Sequence, residues 1–336
     1  MPEFLKKRLL RWEAFLLVLL AAEIAVFGHL NPRFLRIPVL LGSINDFMSI
    51  CVISLFVTLV LVTGGMDIQA GSIVGLASIV VGLLWKDFGV NVWAASLLAL
   101  AIGAACGALS GFFVAYTGVQ AMVVTLGGSF LYSGLALAAT QLSDTESYKG
   151  ISGFPRAFTA FSKYRLFGMI PSQTLIFLAL IAVSYVILHK TRYGRCVFLC
   201  GVNQSAAEYS GINSRLVIMS AYIFSGASAA LAGVVLTSYL GTAKADFGKE
   251  LTLPIITAVV LGGTSNLGGR GGVIGTALAA LVIGVMRFGL SMSGISTQYL
   301  DIPVGALLVL AVACRTFMDN PDISRRVRRL FARRKA

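Results

Sequence analysis

Charge is scarce in this chain: only 12% of its 336 residues are Asp, Glu, Lys or Arg, against roughly 25% in soluble domains. With 57% of the residues hydrophobic, so little polar material cannot cover a water-exposed surface, and a soluble globule is excluded. Histidine, present twice, leaves little for general-base chemistry. The chain has no His-Glu-x-x-His zinc pair and no Gly-x-Ser-x-Gly elbow. Its nearest approach to a phosphate-binding loop, Phe247-Gly248-Lys249-Glu250, lacks both the first glycine and the magnesium-holding hydroxyl, so it does not bind ATP by that route. The five cysteines, Cys51, Cys106, Cys196, Cys200 and Cys314, are scattered and mostly lie inside apolar runs, as small core residues do. Cys196 and Cys200 are four apart but have only His189 nearby and no acidic cluster, a poor set for a metal. The expectation is a chain that is not an enzyme and holds no cofactor or metal.

What is present is apolar and long-patterned. The net charge of +13 comes from 27 Lys and Arg, and these gather in tails and loops. Lys6, Lys7, Arg8 and Arg11 precede the first apolar run, and Arg325, Arg326, Arg328, Arg329, Arg333, Arg334 and Lys335 follow the last. Cations flanking apolar spans mark the cytoplasmic side of a membrane protein. A nucleic-acid-binding tail would be accompanied by a basic domain or an aromatic platform, and neither is found. The basic stretch before the apolar run Phe15–Phe27 resembles a signal peptide, but the many spans that follow make an uncleaved first helix the better reading.

A span needs ~20 mostly apolar residues, and helices are preferred because lipid offers backbone groups no partners. Ten stretches qualify: 11–30, 38–63, 70–86, 91–116, 120–140, 170–190, 216–240, 251–264, 273–293 and 298–317. The fold class expected is therefore all-α and polytopic, with residues 1–336 forming one transmembrane domain. An even number of spans puts the basic tails, 1–10 and 318–336, on one side, and the loops support this. Seventeen Lys and Arg fall on the side of the tails and nine on the other, with Arg287 left inside a span. The longest hydrophilic loop, 141–169, falls on the outer side.

Two glycine pairs organise the halves. Gly64-Gly65 ends an apolar run and is followed by Gly71 and Gly75, while Gly262-Gly263 ends another and is followed by Gly271 and Gly275. A short or interrupted span in each half points to a transport pathway near the midplane; Gly-rich turns between ordinary helices would look the same. Carboxylates inside spans, which an ion-coupled carrier needs, are few: Glu23, Asp46, Asp67 and Asp301. Asp67 and Asp301 sit near span ends, where the expected role is a helix-starting or solvated carboxylate.

The segment 191–215 is the most informative hydrophilic stretch. Ser205-Ala206-Ala207-Glu208 has the spacing of a capping box, and Gly211 supplies a stop. Between them lies a short helix, Ala206 to Ser210, too short to stand alone. It packs either on a cytoplasmic partner or on its own membrane helices.

At this point the residues carry a resemblance. Gly64-Gly65-Met66-Asp67-Ile68-Gln69-Ala70-Gly71-Ser72, Val124-Thr125-Leu126-Gly127, Thr191-x-x-Gly194-Arg195 through Gly201, Ala206-Ala207, Ser210-Gly211-Ile212 and Ala258-Val259-Val260-Leu261-Gly262-Gly263 occur in order along nearly the whole chain. Together they resemble the permeases of bacterial sugar ABC importers of the ribose type. Gly150-Ile151-Ser152-Gly153-Phe154-Pro155, Leu188-His189-Lys190-Thr191 and Ser238-Tyr239-Leu240-Gly241-Thr242-Ala243 resemble, within that family, the autoinducer-2 import permeases. The chain departs from many relatives at Met66–Ala70 and at Gly128, where a hydroxyl is common.

The resemblance implies an inner-membrane subunit with both termini cytoplasmic, working with a second and homologous permease, two cytoplasmic ATP-binding subunits and a periplasmic solute-binding protein. Residues 205–212 (Ser205, Ala206, Ala207, Glu208, Tyr209, Ser210 and Gly211, with Ile212) then fall on the coupling helix that touches the ATPase. Gly64, Gly65, Asp67, Thr125, Gly262 and Gly263 become gate or pathway candidates, and Tyr222, Phe130, Tyr132 and Thr257 further side chains that could line the path. The cargo implied is autoinducer-2 or a simple sugar. An ion-coupled carrier and a non-transporting scaffold are the rival classes.

Overall fold

The computed structural model describes residues 3–143, 145 and 149–319, with side chains from Trp12 onward except those of Thr297, Ala311, Val312 and residues 314–319. The basic tails and the Cys314 side chain lie largely outside the described residues, as do four positions of the 141–169 loop.

Helices dominate because the apolar runs are long and uninterrupted, leaving each backbone to satisfy itself. Seven are long and apolar enough to cross a bilayer: α1 (Glu3–Leu30), α3 (Ile44–Val62), α5 (Val92–Tyr116), α6 (Ala121–Thr140), α8 (Ser172–Tyr185, continued by a π turn to Lys190), α11 (Ser214–Leu240) and α13 (Val273–Met292). Shorter apolar helices, α4 (Ala70–Lys86), α12 (Thr252–Leu261) and α14 (Asp301–Asp319), take the other three predicted places. Between them lie α2 (Ile37–Gly42), α7 (Arg156–Lys163), α9 (Arg192–Val202) and α10 (Gln204–Tyr209). The 38–63 stretch is thus two helices, split at Ser43. Four two-residue strands occur among the described residues: β1 (Ile151–Ser152) pairs antiparallel with β4 (Thr242–Ala243), and β2 (Arg165–Leu166) with β3 (Ile170–Pro171). The 141–169 stretch is therefore built, not featureless.

The core is organised around α3, buried along almost its whole length, with α11 and α13 packed on it and α4 and α12 beside them. In contrast α1, α5, α6 and α8 turn Leu, Phe and Val outward, the surface a lipid solvent requires. Apolar attraction does not drive helices together in lipid, so close packing must. A ridge at four-residue spacing, Gly103, Gly107 and Gly111 of α5, meets the backbone of α11 at Gly226, Tyr222 and Met219. A methyl on Gly111 would lie 2.9 Å from the Met219 Cα.

Two ends of the bundle are set by connectivity. α9 and α10 connect the end of α8 to the start of α11. At the other end of α11, α7 is clamped by Ser238 Oγ donating to the Phe158 carbonyl (2.6 Å) and Ser162 Oγ donating to the Val235 carbonyl (3.3 Å). Trp93, at the start of α5, packs edge-on against Phe158 and Phe161.

Candidate coupling and gating site

Two helices stop at the same kind of break. At the end of α3, Gly64 N–H donates to the Leu61 carbonyl (2.9 Å) and Gly65 N–H to the Val60 carbonyl (3.0 Å). At the end of α12, Gly263 N–H donates to Val260 (3.0 Å) and Thr264 N–H to Val259 (3.2 Å). Both are Schellman ends, whose pivotal residue must take a left-handed backbone; Gly64 has φ +85° and Gly263 φ +95°. Gly64 therefore corresponds to Gly263, one residue out of the register the paired glycines suggest. Gly65 is needed for a different reason, since a Cβ there would lie 2.6 Å from the Tyr222 hydroxyl. Gly262 lies against the backbone of Gly275 and Thr276.

Beyond the first break the chain unwinds over 65–69 before α4 begins. In a membrane the polar groups of such a segment must be met from within the protein, and several of them are, although the buried Gln69 Nε2 has no hydrogen-bond partner. The Met66 carbonyl accepts from Tyr222 Oη (3.2 Å) and Thr125 Oγ1 (3.3 Å), and the Ile68 carbonyl from Thr252 Oγ1 (3.3 Å). Gln69 Oε1 accepts from Ser110 Oγ (2.6 Å), and Gly128 is bare of a Cβ where that carbonyl oxygen sits. Asp67 accepts from Ser225 Oγ (2.6 Å) and from the Gln69 amide (3.1 Å). At 1% exposure it is not solvated, contrary to expectation. It lies three residues ahead of α4, whose cap position is Gln69, and is buried where α11 brings Ser225 to it. Asp301 does keep partial solvent contact, and it is paired: Arg287 Nη1 donates to it at 2.7 Å.

Of the candidate lining residues, Tyr222, Tyr132, Thr125 and Thr257 are buried, whereas Phe130 points away from the bundle. Tyr132 Oη donates to the Cys106 carbonyl (3.0 Å) and Thr257 Oγ1 to that of Leu253 (2.7 Å). Tyr132 thus ties α6 to α5, Tyr222 and Thr125 tie α11 and α6 to the first break, and Thr257 bonds within its own helix.

The short helix α10 forms, but its start differs from the predicted capping box. Asn203, in extended conformation, accepts from the Ala206 amide (3.0 Å) and is the cap. An Asn at the chain reversal supplies this oxygen two residues before Ser205, which leaves Ser205 inside the first turn. Glu208, freed from reaching back, accepts from the Ser214 hydroxyl and from Gln204 Nε2 (3.3 Å). Those two bonds, Ser214 first, hold its carboxyl below the ordinary carboxylate range. Gly211 closes the helix at φ +81° with a third Schellman end. Around α10 an apolar surface is left open: Tyr209 is 94% exposed, Val202 72% and Leu267 88%, with Leu199 beside them.

One joint ties these parts. Gly201, in the last turn of α9, has no room for a side chain: a Cβ would run into the Val62 carbonyl and lie 2.5 Å from the Gly269 amide. Gly269 N–H donates to that same Val62 carbonyl (2.8 Å), and a Cβ on Gly268 would meet the Gly201 carbonyl at 2.7 Å and the Gly64 amide at 2.9 Å. Three backbones, from α9, the first break and the loop after the second, thus meet at glycine distance. Nothing in sequence spacing marks Gly201 or Gly268 as partners of Gly64, and reading the sequence missed them.

Comparison with known proteins agrees with this architecture. The family described as the permease component of the branched-chain amino acid transport system matches residues 39–312. A curated relative from Enterobacter sp., the autoinducer 2 import system permease protein LsrD, is 41% identical over 91% of this chain and 93% of its own length. Proteins of the same name from Photorhabdus laumondii and Klebsiella pneumoniae are 41% and 40% identical, over 91% and 96% of this chain. The resemblance to importer permeases drawn from the motifs holds.

Proposed function

We propose that this chain, which belongs to the permease-component family just described, carries autoinducer-2 or a closely similar small sugar-like solute through the inner membrane as part of an ABC importer. The observation that carries this reading is identity of about two residues in five to autoinducer-2 import permeases over nine-tenths of the chain. The energy comes from outside the chain. One ATP-binding subunit docks on residues 205–212 and the apolar surface of Leu199, Val202, Tyr209 and Leu267 around α10, a second ATP-binding subunit pairs with a second and homologous permease that completes the pathway, and a periplasmic binding protein delivers the solute. This orientation places α10 and both termini in the cytoplasm.

The mechanism follows from rigid contacts. When the ATPases close they press on α10; α10 continues through Asn203 into α9, and Gly201 bears directly on Val62 and Gly269. Displacement there moves the ends of α3 and α12 together, and the flexible points are the left-handed residues Gly64 and Gly263. Asp67, Gln69 and Met66 then exchange partners or carry them along.

The test is uptake by the reconstituted importer. Labelled autoinducer-2, presented on the binding protein, enters vesicles when ATP is supplied and continues when the proton gradient is collapsed. A labelled pentose taken up in preference would reassign the cargo, and uptake that follows the gradient instead of ATP would overturn the reading.

A further inference from the structure

The connection from α11 to α12 does not stay at the bundle's end. After β4 the chain turns inward and runs along one face of α4. Lys244 N–H donates to Ser78 Oγ (3.2 Å), Ala245 lies with its carbonyl where a Cβ of Gly75 would stand, Gly248 does the same at Gly71, and Thr252 reaches the Ile68 carbonyl. Ala243 packs at Gly82. Positions 71, 75, 78 and 82 form one stripe of a helix, so the segment descends about 16 Å along α4. Gly71 lies roughly 22 Å from Lys86 along the helix, past the middle of a hydrocarbon layer about 30 Å thick.

This descending segment is not helical and is charged. Asp246, Lys249 and Glu250 are exposed in the protomer, the Glu250 side chain by 68%. Arg287 of α13 stands beside them, 3.9 Å from Glu250 and bonded to Asp301. Irregular backbone at such depth survives only where protein or water meets it, and charged side chains there cannot face acyl chains. The surfaces of α5, α6 and α8 at comparable depth present Leu, Phe and Val instead, so the chain has two kinds of exposed face. We infer that residues 244–250 line a water-filled vestibule, opening at the α7 end, through which the solute enters. Guanidinium and ammonium donors in the company of carboxylate acceptors suit an uncharged, hydroxylated molecule, for which each hydroxyl is both donor and acceptor. The inference rests on the transport reading for its purpose, but its geometry is tested without transport.

The test uses the assembled importer in membrane vesicles of both orientations, with the five native cysteines replaced by alanine, and membrane-impermeant cationic and anionic methanethiosulfonates as probes. Three further variants calibrate it: Ser152→Cys at the α7 end, Tyr209→Cys at the α10 end and Leu97→Cys on the lipid face of α5. Asp246→Cys and Lys249→Cys should react from the same side as Ser152→Cys, and roughly tenfold or more faster than Leu97→Cys, because thiolate forms only where water reaches. Glu250→Cys stands in for either variant that fails to insert. Protection equal to that of Leu97→Cys, or reaction only from the side that labels Tyr209→Cys, would overturn the vestibule. Labelling as expected in a complex that fails to import autoinducer-2 would uphold the vestibule and count against the cargo.

Discussion

The two helix breaks share a hydrogen-bond pattern but are secured by different means. The first, Gly64 to Gln69, is tied by side chains from four helices: Thr125 of α6, Ser110 of α5, Tyr222 and Ser225 of α11, and Thr252 of α12. The second, Gly262 to Gly272, brings backbones together: Gly262 against Gly275 and Thr276, Gly269 on the Val62 carbonyl, and Ser265 N–H on the Arg270 carbonyl (2.8 Å). Side-chain bonds here include Trp12 Nε1 to the Leu261 carbonyl at 2.7 Å and the Leu267 amide to Ser265 Oγ at 3.2 Å. Hydrogen-bonded side chains can change partners one at a time, whereas packed backbones move as a body. The first break therefore has the character of a latch, and the second, with Gly201, that of a bearing.

The contrast predicts opposite sensitivities: adding carbon should damage the bearing, and removing polar atoms should damage the latch. The largest effect belongs to Gly201→Val, which drives a side chain into the Val62 carbonyl; overpacking of this kind costs about 1–3 kcal/mol or more. ATP-driven uptake by the reconstituted complex should fall roughly tenfold or more while the ATPase subunits still co-purify. Normal coupling in that variant would dissolve the joint. Next, Asp67→Ala leaves the Ser225 hydroxyl and the Gln69 amide without their acceptor, a loss of about 1–3 kcal/mol. Thermal unfolding of the purified complex measures it, and Asp67→Asn should recover part. Smaller still, Tyr222→Phe deletes one of two bonds to the Met66 carbonyl and should cost about 1 kcal/mol in the same assay. Gly127→Ala, on α6 with open space around it, should be neutral or stabilising by roughly 0.5–1 kcal/mol. A large loss there would mean that the sensitivity of glycines in this chain is not about packing at the joint.

Much of the fold could be read from the chain. Residues 70–86 were expected as a span and α4 covers the same residues; 91–116, 120–140 and 273–293 each differ from α5, α6 and α13 by a residue at one end. The breaks were visible as glycine pairs. The candidate site was legible only in part. Asn203 displaced Ser205 as cap because two neighbouring residues offer an oxygen and the path of the backbone selects between them. Asp67 looked solvated because its position near a span end says nothing about what α11 lays over it; Ser225 is 158 residues away.

Local chemistry by itself determined which stretches enter lipid, where helices stop and which segment stays polar, because hydrocarbon length, left-handed glycines and caps act over a few residues. Only the tertiary structure decided that Gly201, Val62, Gly64 and Gly269 meet, that the Met66–Gln69 turn is held from four helices, and that residues 244–250 descend along α4. Those contacts join residues far apart in the chain, and backbone approach at glycine distance depends on how helices cross, which no periodicity along one helix encodes.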